Sequence, residues 1–107
     1  MSHLQKIGLL NREGMKSFNA GKLDDAMFQL IQADHIAQDM KSPLHKAKIR
    51  NNMGLVHQGL GNVSEAIVCF RLAEKYVVEG AGSSNKLYET VTRNRTRLVQ
   101  SAEAQAA

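Results

Sequence analysis

The sequence predicts an all-α fold: two helical hairpins followed by a single closing helix. One proline and eight glycines in 107 residues leave too few turn formers for the many reversals of an all-β domain. Apolar residues recur at helical spacing along most of the chain. The third observation is an internal repeat: Gly14, Gly21, Leu23, Ala26, Leu30 and Ala33 are answered by Gly54, Gly61, Val63, Ala66, Phe70 and Ala73, each forty residues later.

Each element follows from these residues. The first helix is expected over about 3–20 and the third over about 43–60. Gly14 and Gly54 fall in their middles, where glycine costs roughly 1 kcal/mol relative to alanine, so a neighbouring helix must press on the backbone there. Gly21 and Gly61 stand where a left-handed residue closes a helix. Asp24-Asp25 and Ser64-Glu65 restart the chain with acids or cap formers at a helix N-terminus. The second helix, about 24–41, places Ala26, Leu30, Ala33 and Ala37 on one face, and the fourth, about 63–79, does the same with Ala66, Ile67, Phe70 and Ala73. Between the units, Ser42 suits an N-cap and Pro43 the first helical position. Gly80 to Ser84 reads as a flexible joint before a fifth helix over about 84–102, whose apolar stripe is Leu87, Val91 and Leu98. The alanine-rich tail from Ser101 to Ala107 favours helix and is expected to fray.

The whole chain, 1–107, is one domain on this reading, with a first repeat over about 7–41 and a second over about 43–80. At 43% hydrophobic residues it needs no metal or disulfide staple, and the single Cys69 excludes an intrachain disulfide. No signal-peptide core and no apolar run of spanning length is present, so a cytoplasmic protein is expected. The net charge of +4 is a mild bias, with Lys6, Arg12, Lys16 and Lys22 near the start and Lys86, Arg93, Arg95 and Arg97 near the end.

The repeat resembles the tetratricopeptide family. Gly14/Gly54, Gly21/Gly61, Ala26/Ala66, Leu30/Phe70 and Ala33/Ala73 stand at its signature positions, over residues 10–36 and 50–76. The forty-residue period is similar to the extended subtype of kinesin light chains and polarity adaptors, as is the run Asn51-Asn52-Met53-Gly54. The pattern departs from the family at Leu10 and Arg50, at Glu13, and at Ser17 and His57, where Trp, Leu and Tyr are typical. A HEAT-like pair of similar period lacks this glycine and alanine grammar. The resemblance implies a right-handed α-solenoid whose first, third and fifth helices line a concave face. It also implies a protein-interaction module, an adaptor, scaffold or chaperone-like protein that holds a peptide or protein segment in that groove.

Alignment on the glycines assigns Asn11, Met15 and Phe18 to the groove from the first helix, and Lys48, Asn52 and Leu55 from the third. Tyr88, Thr92 and Arg95 are the assignment from the fifth. Amides can pair with a partner's backbone and methionine can adapt to its side chains. In the family the asparagine matching Asn52 commonly bonds the partner's main chain. Asn11 and Met15 replace two residues of the clamp that reads a terminal carboxylate, which speaks against a heat-shock chaperone tail as partner.

Other functions find less support. His3, His35, His45 and His57 are scattered, without the paired spacing of a zinc protease, so no enzyme activity, metal or cofactor is expected. His57 reads as a packed core histidine and Cys69 as a small buried hydrophobe. Arg93, Arg95 and Arg97 point in three directions on a helix and lack interleaved aromatics, which makes nucleic acid an unlikely partner. Self-association is the stronger alternative: Ile7, Leu9 and Leu10 at one end, and Leu87, Val91, Leu98 and Val99 at the other, could cap the chain itself or dock on a second copy as a homodimer.

Overall fold

A computed structural model describes residues 1–106. Five helices follow one another: α1 (His3–Asn19), α2 (Leu23–Gln38), α3 (Pro43–Gly59), α4 (Val63–Ala81) and α5 (Lys86–Ala106). Among the described residues there is no strand. Each helix packs on the next in sequence; α1 also touches α3, and α3 touches α5, whereas α2 and α4 do not meet. The odd helices therefore form an inner layer of three, and the even helices an outer layer of two. The molecule is a slab of 49 × 33 × 19 Å.

The glycines explain the hairpins. A Cβ on Gly14 would lie 2.9 Å from Leu30 Cδ2, and one on Gly54 would lie 2.5 Å from Phe70 Cε1. Leu30 and Phe70 thus ride directly on the backbone of the preceding helix, forty residues apart like the glycines beneath them. Gly21 and Gly61 have φ of +79° and +82°. At each, the glycine N–H donates to the carbonyl three residues back and the next N–H donates to the carbonyl five residues back, Lys22 to Ser17 and Asn62 to His57. This paired closure satisfies carbonyls that the helix end would otherwise leave open.

Two cores repeat the same arrangement. Ala26, Leu30, Ala33, Ile49 and Val56 belong to the first, and Ala66, Phe70, Ala73, Val91 and Leu98 to the second. The first three pairs are offset by forty residues and the last two by forty-two. Each core is built mainly from one hairpin and the inner helix that follows it, with Cys69 of α4 also joining the first, so α5 stands to the second hairpin as α3 stands to the first. The wider offset accompanies a longer α4, which has 19 residues against 16 in α2.

Several boundaries differ from the expectation. Gly80 and Ala81 are not part of a joint but the last turn of α4, where a Cβ on Gly80 would meet Leu44 Cγ at 2.9 Å. The joint is shorter and tied: Gly82 turns with φ +74°, and the Asn85 side chain donates to the Gly82 carbonyl at 2.8 Å and accepts from the Tyr88 N–H at 2.9 Å. Asn85 therefore caps α5, which begins at Lys86, two residues later than the expected start at 84. Ser42 occupies the N-cap of α3, yet its hydroxyl bonds His45 Nδ1 in place of a backbone donor. At the start of α1, Ser2 and Gln5 form a reciprocal capping box that the sequence reading passed over. The helix of the tail runs through Ala106; Ala107 lies outside the described residues.

Candidate functional site

The inner layer is stitched by asparagine amides. Asn52 Nδ2 on α3 donates to Asn11 Oδ1 on α1 at 2.7 Å, and Asn94 Nδ2 on α5 donates to Asn51 Oδ1 on α3 at 3.0 Å. Asn51 stands forty residues after Asn11, and Asn94 forty-two after Asn52, so the two bonds are the same contact made twice. Asn51 is buried, while Asn11, Asn52 and Asn94 are half-buried. Each amide in the Asn11–Asn52 pair uses only part of its capacity. Among the described residues, the Asn52 carbonyl oxygen and the Asn11 amino group have no partner.

This contact fixes the register of α5. In an offset of forty-two, Lys48, Asn52 and Leu55 correspond to Thr90, Asn94 and Arg97. These three, not Tyr88, Thr92 and Arg95, continue the inner row. The structure places Arg95 on the seam with the outer layer, where its Nη2 donates to Glu74 Oε2 at 3.2 Å and Thr92 Oγ1 donates to the same oxygen at 3.0 Å. That hydrogen bond raises the pKa of the Arg95 guanidinium above its ordinary value. Asp34, forty residues before Glu74, receives Arg50 Nη2 at 2.8 Å and Nε at 3.1 Å. Each junction between an outer helix and the next inner helix is therefore closed by an arginine fork on a carboxylate. Tyr88 is half-buried and lines an open hollow on α5 together with Arg93 and Arg97.

The remaining predicted residues divide between surface and packing. Lys48 is exposed. Met15 and Phe18 are half-buried and pack against the first core, and Leu55 packs against the second. Phe18 lies at the end of α3, close enough that a Cβ on Gly59 would touch its ring at 3.4 Å. These three give the inner face its apolar floor more than free anchors.

The charges sort by layer. The three inner helices carry ten Lys and Arg against three acids, and the two outer helices six Asp and Glu against two bases. The helices alternate between layers along the chain, so the modest net charge of +4 hides a basic inner layer and an acidic outer one.

Cys69 is buried, and burial pushes its thiol pKa up against the opposing pull of the Arg50 guanidinium. A thiol in that state is a poor nucleophile. His57 is half-buried at the end of α3, with Nδ1 3.4 Å from Asn62 Nδ2. Among the described residues no three His, Cys, Asp or Glu side chains come together to hold a metal ion. No helix among them is long and apolar enough to cross a membrane. Comparison with protein-family models, with curated proteins and with solved structures finds no match to this chain.

Proposed function

We propose that the chain is a protein-interaction module of the tetratricopeptide type that holds an acidic, extended peptide segment along its inner layer. The half-used amide pair Asn11–Asn52 supports this reading most directly. Its open carbonyl and amino groups suit the N–H and C=O of an extended backbone, which presents one donor and one acceptor per residue. Lys48 stands exposed on the same row, and Arg97 continues it on α5, so an acidic side chain of the bound segment meets a cation. Met15 and Leu55 provide an adaptable apolar floor between them. A single unpaired cysteine fits a reducing compartment such as the cytoplasm. The proposal includes no catalytic step: the buried Cys69 and the dispersed histidines supply no nucleophile and base together.

A displayed library of random peptides tests it. Selected binders should be enriched in Asp and Glu. Their affinity for Asn52→Ala should fall about tenfold, the loss expected for one or two hydrogen bonds, with helix content unchanged. Lys48→Glu should reduce binding further and reverse its salt dependence. Unaltered affinity in both variants would remove the inner row from the site.

A further inference from the structure

We infer that two copies of this chain associate by seating the outer ridge of α2 from one copy in the open hollow on α5 of the other. The hollow shares Arg97 with the α5 end of the proposed peptide row, but the inference does not depend on that reading.

The ridge groups two of the large apolar side chains exposed on the outer layer. Asp24, Phe28 and Ile31 follow one another on the side of α2 turned away from the cores, and Phe28 and Ile31 are 66% and 51% exposed. Exposed aromatic and branched apolar residues grouped on one helix face are unusual for a surface that meets only water. At the equivalent positions of α4 stand Ser64, Val68 and Arg71, so the repeat itself does not require such a ridge. No Lys or Arg occurs in α2, whose first turn carries Asp24 and Asp25.

The hollow has the opposite character. It is lined by Tyr88, Thr92, Arg93, Thr96 and Arg97, together with Ser83 and Glu89, so two cations outweigh one acid. Among the described residues neither Arg93 nor Arg97 forms an ion pair within the chain. By the register of α5, Thr96 takes the position of Gly14 and Gly54. A helix therefore cannot approach α5 as closely as α2 and α4 approach α1 and α3. An occupant must stand off the backbone and bridge the gap with a protruding side chain, which Phe28 supplies. The dimensions agree. Asp24 to Ile31 spans about 10.5 Å of helix and Tyr88 to Arg97 about 13.5 Å, at about 1.5 Å per residue. Acids beside Arg93 and Arg97, with Phe28 over the Tyr88 ring and the threonine methyls, complement both charge and apolarity. A pairing of α5 with α5 would set four arginines against one another, and a pairing of α2 with α2 four aspartates. The reciprocal contact, α2 on α5 and α5 on α2, suits a two-fold dimer.

Sedimentation of the full chain over a concentration series, at low and high salt, reads the association. The wild type should shift from one to two chains with rising concentration, and high salt should weaken the shift. Two variants are decisive. Asp24→Lys with Asp25→Lys, and Arg93→Glu with Arg97→Glu, should each lower self-association at least ~tenfold, because each sets like charges together. Mixed in equal amounts they should form a heterodimer, since one contact is then wild type and the other has both signs exchanged. Phe28→Ser should weaken the dimer without changing helix content. A wild type that remains a single chain at every concentration would overturn the inference. So would association that survives both charge reversals, or a mixture that does not recover it.

Discussion

Replacing Gly54 by alanine tests how the hairpins are built. In an isolated helix this change is favourable by roughly 1 kcal/mol. Here the new methyl would sit 2.5, 2.7 and 2.9 Å from three ring carbons of Phe70, well inside ordinary contact. The ring has nowhere to retreat: Phe70 is fully buried in a core with Ala66, Ala73, Val91 and Leu98. Overpacking of such a site costs about 1–3 kcal/mol, and a rigid aromatic belongs at the upper end. After the gain in helix propensity, a net loss of about 1–2 kcal/mol remains, or a Tm lower by roughly 5–15 °C for a domain of this size. Gly8→Ala is the control. It lies in α1 with no atom near its added Cβ and should raise stability by up to about 1 kcal/mol. Thermal unfolding followed by circular dichroism reads both. Phe70→Leu should cost less in the Gly54→Ala background than in the wild type, because the smaller side chain relieves the overlap. A Gly54→Ala protein as stable as the wild type would refute the close-approach argument.

Other consequences are checked by similar means. Gly61→Ala meets no atom, so its cost is the left-handed backbone alone, roughly 1–2 kcal/mol in urea unfolding, and Gly61→Asn should recover part of it. Asp34→Ala and Arg50→Ala should show a coupling of about 1 kcal/mol in a double-mutant cycle, modest because the two side chains keep 13% and 22% of their exposure. Cys69 should react with thiol reagents only as fast as the fold opens. Its folded thiol holds its proton to higher pH than the unfolded one, so stability is unaffected below the ordinary thiol range and falls as pH rises through that range. A Cys69→Ala protein should lack that part of the alkaline slope.

The parts of the fold visible in the sequence were those with a local signature. Gly14 and Gly54 were unfavourable choices for a helix interior, and the contacts with Leu30 and Phe70 are the compensation that such choices demand. Gly21 and Gly61 announced their turns by position alone. The register of α5 was not legible in the same way. Its offset of forty-two breaks the forty-residue echo, and Thr96 stands where the diagnostic glycine would be. The bond of Asn94 to Asn51, the bonds of Thr92 and Arg95 to Glu74, and the burial of Val91 and Leu98 set that helix against α3 and α4. Gly80 looked like a joint because glycines cluster there, but its missing side chain makes room for Leu44. The assignment of Arg95 to the groove failed for a related reason. Its partner Glu74 lies on a different helix, although the echo of Asp34 in Glu74 was present in the sequence and could have drawn attention to both junctions. The charge layering was hidden because inner and outer helices alternate along the chain, which averages the two signs in any linear window.

Resonance mapping of a bound peptide bears most directly on the account. Backbone and side-chain amide shifts of the labelled protein, titrated with an acidic peptide selected from the library, should move most at Asn11, Lys48, Asn52 and Asn94. Amides on the outward faces of α2 and α4 should stay in place. The largest shifts on those outer helices, with the asparagine side-chain amides unmoved, would contradict the inner layer as the binding face.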